Sequence, residues 1–258
     1  MFFTDANTED LVSGDNGYNW CGNSLTYDDR PYTSRESQIV WNDYYMIIFS
    51  ANTVIGAMDA TSESPLIQYY LAQALAARGF CYLELAQLYQ FNYKGHESSP
   101  CVPLITDKNS EAAALNGAPR ASVDSVYAQV NADLSLAIDL LTKAQGAGQK
   151  RSDRRYVDLA VVYGLRARMN LAMQNWSAAA ADAQAAINNT DARPATIAEV
   201  NDTSNGITTI ERRGCSIENL DTLHTSHIDA IQIDIIRNVS IQFLSVNQNQ
   251  DILISQAV

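Results

Sequence analysis

"RGFCYLELAQLYQ", residues 78–90, decides how the chain is read: every position is apolar or small except Arg78, Glu84, Gln87 and Gln90. A helix of this composition has no broad polar face to give to water, so it is buried on more than one side and needs helical neighbours. The stretch continues a pattern that starts at Ser64-Pro65, where Pro in the first turn gives up an N–H that a helix leaves unpaired anyway. Its stripe runs through Tyr70, Ala74, Ala77, Cys81, Leu85 and Leu88, while Phe80 and Leu83 cover flanking directions.

The same period extends outward on both sides. Upstream, Val40, Tyr44, Ile47, Ala51, Val54 and Met58 form one stripe of an amphipathic helix; Trp41, Tyr44 and Tyr45 are read as part of that packing surface. Downstream, residues 91–121 make a long connection with Pro100, Pro103, Pro119 and the apolar "VPLI", which predicts a segment that is functional or packed down by its own side chains. Ser122 caps a further helix, Asp124 suits its positive end, and Val123, Tyr127, Val130, Leu134, Ala137 and Leu141 keep the period without a miss. A helix from about Tyr156 to Met173, a turn at Gln174 and Asn175, and an Ala-rich helix from Trp176 to Ile187 complete the pattern. Gly164 and Ala167, facing Ala179, Ala180, Ala183 and Ala186, predict close backbone approach in an antiparallel hairpin of the tetratricopeptide type. The expected fold is therefore all-α, with tetratricopeptide-like hairpins and long irregular loops.

Composition excludes several function classes. The chain has 258 residues, is 47% hydrophobic and carries a formal charge of -12, enough apolar surface for a core and the wrong sign for a phosphate backbone. Nucleic acid is not an expected partner. No apolar run approaches the roughly 20 residues that span a bilayer. "MFFTDANTED" has neither a basic flank nor an apolar core, so it does not read as a signal peptide; the chain either stays in the cytosol or lacks its true start. Cys21, Cys81, Cys101 and Cys215 form no C-x-x-C pair; Cys81 is read as a buried free thiol and the other three are left open.

Signals for catalysis are weak. His224 and His227 have the spacing of a helical metal pair but no third ligand, and His96 stands alone in a loop. "GAGQKRS" at 146–152 comes after a helix and breaks the phosphate-loop pattern, so it reads as a connection between helices. No G-x-S-x-G occurs. The expectation is a protein without catalytic residues, cofactor or metal.

Residues 1–34 have loop composition and many aromatics: Tyr18, Trp20, Tyr27 and Tyr32 alternate with Asn19, Asn23, Asp28, Asp29 and Arg30. A sugar ring offers apolar C–H faces and polar edges, so a flat aromatic beside hydrogen-bonding side chains suits it. The same aromatics equally well anchor an irregular loop.

Several segments together resemble one family. "WNDYYMIIFSANTVI" (41–55), "RGFCYLELAQLYQ" with "PCVPLIT" after it (100–106), "PRASVDSVYAQVNADLSLAIDLL" (119–141) and "GLRARMNLAMQNWSAAAADAQAAI" (164–187) resemble, in order, the SusD/RagB family of Bacteroidetes. These are surface glycan-binding lipoproteins of starch-utilisation-type systems, paired with a TonB-dependent, SusC-like outer-membrane transporter. "RPATIAEVND" (193–202) is similar to the next stretch of some members. The resemblance implies oligosaccharide binding at the cell surface for nutrient uptake and tilts the balance toward a binding role for Trp20 and Tyr27; the expected sugar contacts are Trp20, Asn23, Tyr27, Arg30 and Tyr32. It also implies a lipid anchor at the outer membrane, which is not expected within this chain, since "YNW" before Cys21 is not a lipidation signal. The alternative is a helical-repeat scaffold that binds a protein partner.

Three parts are expected: an aromatic-rich segment 1–34, a helical-repeat domain 35–205, and a C-terminal segment 206–258 unlike the family. No Lys occurs after Lys150, and "IDAIQIDIIRNVSIQFL" mixes helical and strand periods. Family chains run much longer, so the sequence is expected to be an incomplete copy, cut short at its start and shifted in frame near Thr203 to Gly206. A truncated copy without function of its own is a further alternative.

Overall fold

The computed structural model describes residues 22–153 and 155–191. Trp20, Cys21, Cys215, the histidine pair and the expected break at 205/206 lie outside the described residues. Along the chain come α1 (Gly22–Leu25), α2 (Arg35–Ala57), α3 (Pro65–Tyr89), β1 (Pro100–Pro103), α4 (Ser110–Asn116), β2 (Arg120–Ser122), α5 (Val123–Gly146), α6 (Leu159–Ala172) and α7 (Trp176–Asn188). The all-α class holds, with one short antiparallel strand pair in the long connection.

Sequence chemistry sets the helix ends. The Ser34 and Ser122 hydroxyls accept from the amides of Ser37 and Ser125, and the Asp158 carboxylate accepts from Val161, each pairing a donor the first turn leaves free. Pro65 starts α3. At the end of α5, Gly148 takes φ 88° while the Gly148 and Gln149 amides donate to the carbonyls of Gln145 and Ala144. "GAGQ" is thus a helix stop that needs a left-handed residue. Gln174, at φ 62°, makes the tight turn before α7.

α3 is the middle of the stack. It packs against α2, α5 and β1 and touches α6, and sixteen of its residues, from Tyr69 to Ala86, are buried. On α2 the buried stripe is Val40, Tyr44, Ile48, Ala51 and Val54: Ile48 takes the inward position expected for Ile47, which is half-buried, because 3.6 residues per turn carries the stripe from 44 to 48. On α5 all six expected stripe residues are buried. The expected close approach at Gly164 is not where backbones meet: a Cβ there would find nothing within 4 Å, whereas one on Gly79 would lie 3.2 Å from Leu134 Cδ2. Ala180 and Ala183 are exposed, so α7 turns Ala179 and Asp182 toward α6.

Polar clips fix the connections. Gln73, fully buried in α3, donates to the Val157 carbonyl and accepts from the Val157 amide, both at 2.7 Å, as a strand neighbour would. Arg166 grips Asp182 through Nε and an Nη and also reaches the Ser135 hydroxyl, tying α5, α6 and α7 together. The long connection is packed down by Cys101 and Val102. Tyr82 both donates to and accepts from the Ile105 backbone, Asn52 donates to the Ile105 carbonyl, and Tyr45 donates to that of Pro103. Cys81 and Cys101 are buried free thiols, and burial pushes the Cys81 thiol well above its ordinary range, which keeps it unreactive.

Candidate functional site

Residues 22–34, the turn of α1 and the loop after it, are stapled ahead of α2. Thr26 donates to the Gly22 carbonyl, the Asp28 amide donates to that of Asn23, and the Thr26 hydroxyl lies 2.8 Å from an Asp28 carboxylate oxygen. Tyr27 sits at φ 61°, which brings its ring under the Arg30 guanidinium, 4.7 Å from centroid to Cζ. Ser37 donates to the Asp29 carbonyl at 2.6 Å and Gln38 to that of Tyr32 at 3.2 Å, so the loop is held against the first two turns of α2.

Between this loop and the last turn of α3 lies an open cleft of about 700 Å³. Its apolar lining residues are Tyr32, Val40, Trp41, Leu88 and Tyr89; its polar ones are Asp29, Arg30, Glu36, Ser37, Gln38 and Asn42. Trp41 is gripped from two directions. Its ring lies 4.9 Å from that of Tyr45 and 5.1 Å from that of Tyr89, the latter edge-on. Tyr89 is fixed in turn by donating to the Ser37 carbonyl at 2.6 Å, and burial pushes its phenol up to about 12. A platform whose own neighbours lock it loses little freedom on receiving a ligand.

Arg30 and Tyr32, both anticipated, line the cleft; Tyr32 is 87% exposed at its mouth. Tyr27 stands beside Arg30 but outside the lining, and Asn23 is exposed on α1, also outside it. Trp20 lies outside the described residues. Two aromatics of the cleft, Trp41 and Tyr89, are not among the residues that sequence assigns to a site. The helical period makes Trp41 core, and it does pack partly against the core, yet it also lines the cleft. The available signal is its position just off the buried stripe, next to polar Asn42. For Tyr89 the signal is the end of a buried helix, where Leu88 comes out into the open.

The cleft offers flat apolar rings beside donors and acceptors, a surface suited to rings with apolar faces and hydroxyl edges. Among the described residues no group of three His, Cys, Asp or Glu side chains converges as a metal site would, and no helix is long and apolar enough to cross a membrane.

Comparison with known proteins bears on more than half of the chain. Residues 2–171 match the SusD-like family described as "starch-binding associating with outer membrane". Among solved structures, a SusD-like carbohydrate-binding protein from Bacteroides vulgatus is similar at 27% identity with a TM-score of 0.67, over 76% of this chain and 40% of that one. A SusD superfamily protein from Bacteroides thetaiotaomicron shares the fold at 18% identity and TM-score 0.54, over 73% of this chain and 40% of that one. A sugar-binding protein, so named, from Bacteroides vulgatus shares it at 21% identity and TM-score 0.50, over 62% of this chain and 37% of that one. The chain thus spans about two fifths of the length of these relatives. No curated protein matches it.

Proposed function

The chain belongs to the SusD-like family, and from that premise we propose that it binds an oligosaccharide, without catalysing a reaction on it, in the cleft between the loop at 27–32 and the ends of α2 and α3. The observation that carries this reading is the locked Trp41–Tyr89 pair, which lines, together with Arg30, Glu36 and Asn42, a cleft large enough for several sugar rings. Stacking on Trp41 supplies affinity, and the polar edge supplies specificity through hydroxyl hydrogen bonds. Tyr27, beside Arg30, and Asn23 are proposed as further sugar contacts, and Trp20, outside the described residues, is proposed from the sequence alone.

The wider role is that of the family. The bound oligosaccharide is handed to a TonB-dependent, SusC-like transporter at the outer-membrane surface, for nutrient uptake. The aromatic-rich segment 1–34, the helical-repeat unit 35–205 and the segment 206–258 form the proposed parts of this chain, and limited proteolysis with cleavage concentrated near 34 and 205 is the result that division requires.

Isothermal titration of the purified chain with plant, host and microbial oligosaccharides tests the reading. One of them binds saturably, and Trp41→Ala lowers its affinity at least tenfold, in line with about 1.5 kcal/mol or more for a lost aromatic platform. Unchanged affinity in Trp41→Ala places the ligand elsewhere and sinks the assignment.

A second reading rests on a separate surface. Trp176, Ala180, Ala183 and Ile187 make an exposed apolar stripe at helical spacing along α7, the kind of face a helical-repeat scaffold offers a protein partner. Capture of a partner that is lost with Trp176→Glu, together with no glycan binding, would favour it.

A further inference from the structure

We propose that Ser37 is the positioning residue of the sugar cleft, holding the Arg30 loop with its hydroxyl and the Trp41–Tyr89 platform with its carbonyl; the proposal rests on the glycan-binding reading above. Ser37 stands in the first turn of α2 and is half-buried. Elsewhere on the same helix, small hydroxyls bond back to their own turn: Ser50 and Thr53 donate to the carbonyls of Met46 and Phe49, four residues earlier, at 3.1 and 3.0 Å. Ser37 reaches out of its helix instead. Its hydroxyl donates to the Asp29 carbonyl, eight residues back, at 2.6 Å.

That carbonyl belongs to the planar peptide unit joining Asp29 to Arg30, so the bond fixes the point from which the Arg30 side chain starts. The guanidinium at the other end rests on the Tyr27 ring, 4.7 Å from Cζ to centroid. Arg30 is thus held at both ends. The Ser37 carbonyl has two lone pairs. One takes the Trp41 amide, four residues on, as helix geometry dictates, and the other takes the Tyr89 hydroxyl at 2.6 Å. Tyr89 in turn sets its ring against Trp41, edge-on at 5.1 Å. Gln38 adds a second tie to the loop, but its bond to the Tyr32 carbonyl is longer, at 3.2 Å, and exposed, where water competes for it. One half-buried serine therefore joins the loop, α2 and the end of α3. A sugar ring stacked on Trp41 meets the Arg30 donors only at the right separation, and Ser37 sets that separation.

The test is calorimetric titration of the full chain with heptasaccharides of α-glucan, xylan, mannan and galacturonan, followed by titration of the tightest binder into variants that circular dichroism shows to be helical. Ser37→Ala is expected to weaken binding about threefold to tenfold, the range of one lost hydrogen bond. Ser37→Thr keeps the hydroxyl and restores affinity to within about twofold. Tyr89→Phe removes the other tie and weakens binding by a factor like that of Ser37→Ala. The deciding comparison is a double-mutant cycle of Ser37→Ala with Arg30→Ala. Because Ser37 acts through Arg30, Arg30→Ala costs several-fold less affinity in the Ser37→Ala chain than in the wild-type chain.

Losses that multiply independently in the cycle show that Ser37 touches the ligand itself or acts only on stability, and they overturn the positioning role. A Ser37→Thr chain as weak as Ser37→Ala overturns it too, as does a Ser37→Ala chain that binds like the wild type. Each of these leaves glycan binding in the cleft standing while Trp41→Ala still lowers affinity. Absence of any binding by a helical wild-type chain overturns both readings.

Discussion

Arg78 lies in the middle of α3, 3% exposed, with a carboxylate on each side. Nε and one Nη fork onto Asp133 at 2.8 Å, and the other Nη reaches Asp107 and the Asn52 side-chain carbonyl oxygen, also at 2.8 Å. A charge buried this deeply is tolerated because nearly every donor of the guanidinium is met. Burial acts to release the Arg78 proton, but the bonds to Asp133 and Asp107 outweigh it and hold the group above its ordinary range. Asp133 is pushed up by burial and pulled part of the way back by Arg78. Arg78→Met is expected to cost about 3–5 kcal/mol, since it strands two carboxylates. A carboxyl with a raised folded-state pKa gains stability as pH falls and loses it as pH rises, so the deficit of Arg78→Met should be smaller in a melt at about pH 5 than in one at about pH 7.5, the direction in which protonation of Asp133 is favoured. Urea melts at both values check this; an equal deficit at both would show that Asp133 is not the group left stranded.

At the scale of elements, Gly79 on α3 marks a close approach to α5. A Cβ there would meet Leu134 of α5 at 3.2 Å and the Asp133 Cβ at 3.5 Å. The absence of a side chain thus lets α5 come near enough for Asp133 to reach Arg78, the residue just before Gly79 in the sequence. Gly79→Val is expected to lose about 2 kcal/mol or more through overpacking, read as a lowered thermal midpoint. Gly164→Ala makes the contrast: it has no neighbour within 4 Å among the described residues, so it should gain about 0.5–1 kcal/mol from helix propensity alone. A loss in Gly164→Ala equal to that of Gly79→Val would refute this ranking of the two contacts. Both glycines stand in helical patterns with small neighbours, and nothing in that spacing tells which of them faces a neighbour.

Across the whole molecule, the tyrosines act together. Burial raises the phenols of Tyr45, Tyr69 and Tyr82 far above their ordinary value and pushes those of Tyr89 and Tyr127 up to about 12. A phenol raised on folding contributes stability that is fully present below about pH 10, where the unfolded chain also keeps its proton, and that is lost as pH climbs from about 10 through 12. Helical circular dichroism and phenolate absorbance should therefore change together in that window, as buried rings ionise only when the stack opens. Phenolate appearing in full while the helices remain would show these rings to be accessible in the folded state. Two of the same hydroxyls, those of Tyr45 and Tyr82, tie the connection 100–109 to α2 and α3, so that connection should be lost in the same step.

Periodicity alone determined the helical class, the order of the long helices and the identity of α3 as the central one. An apolar residue recurring every three or four positions has few ways to leave water except on one face of a helix, and a helix apolar nearly all round needs neighbours on all sides. Local chemistry also set the ends, because the caps at Ser34 and Ser122 act within three residues of themselves. The partners of that chemistry came only with the tertiary structure. Arg78 finds Asp133 across 55 positions of chain, Gln73 finds Val157 across 84, and Trp41 meets Tyr89 only because the start of α2 lies against the end of α3. A cleft is a property of which surfaces the packing leaves uncovered, and that depends on contacts between residues far apart in sequence, which no local period records.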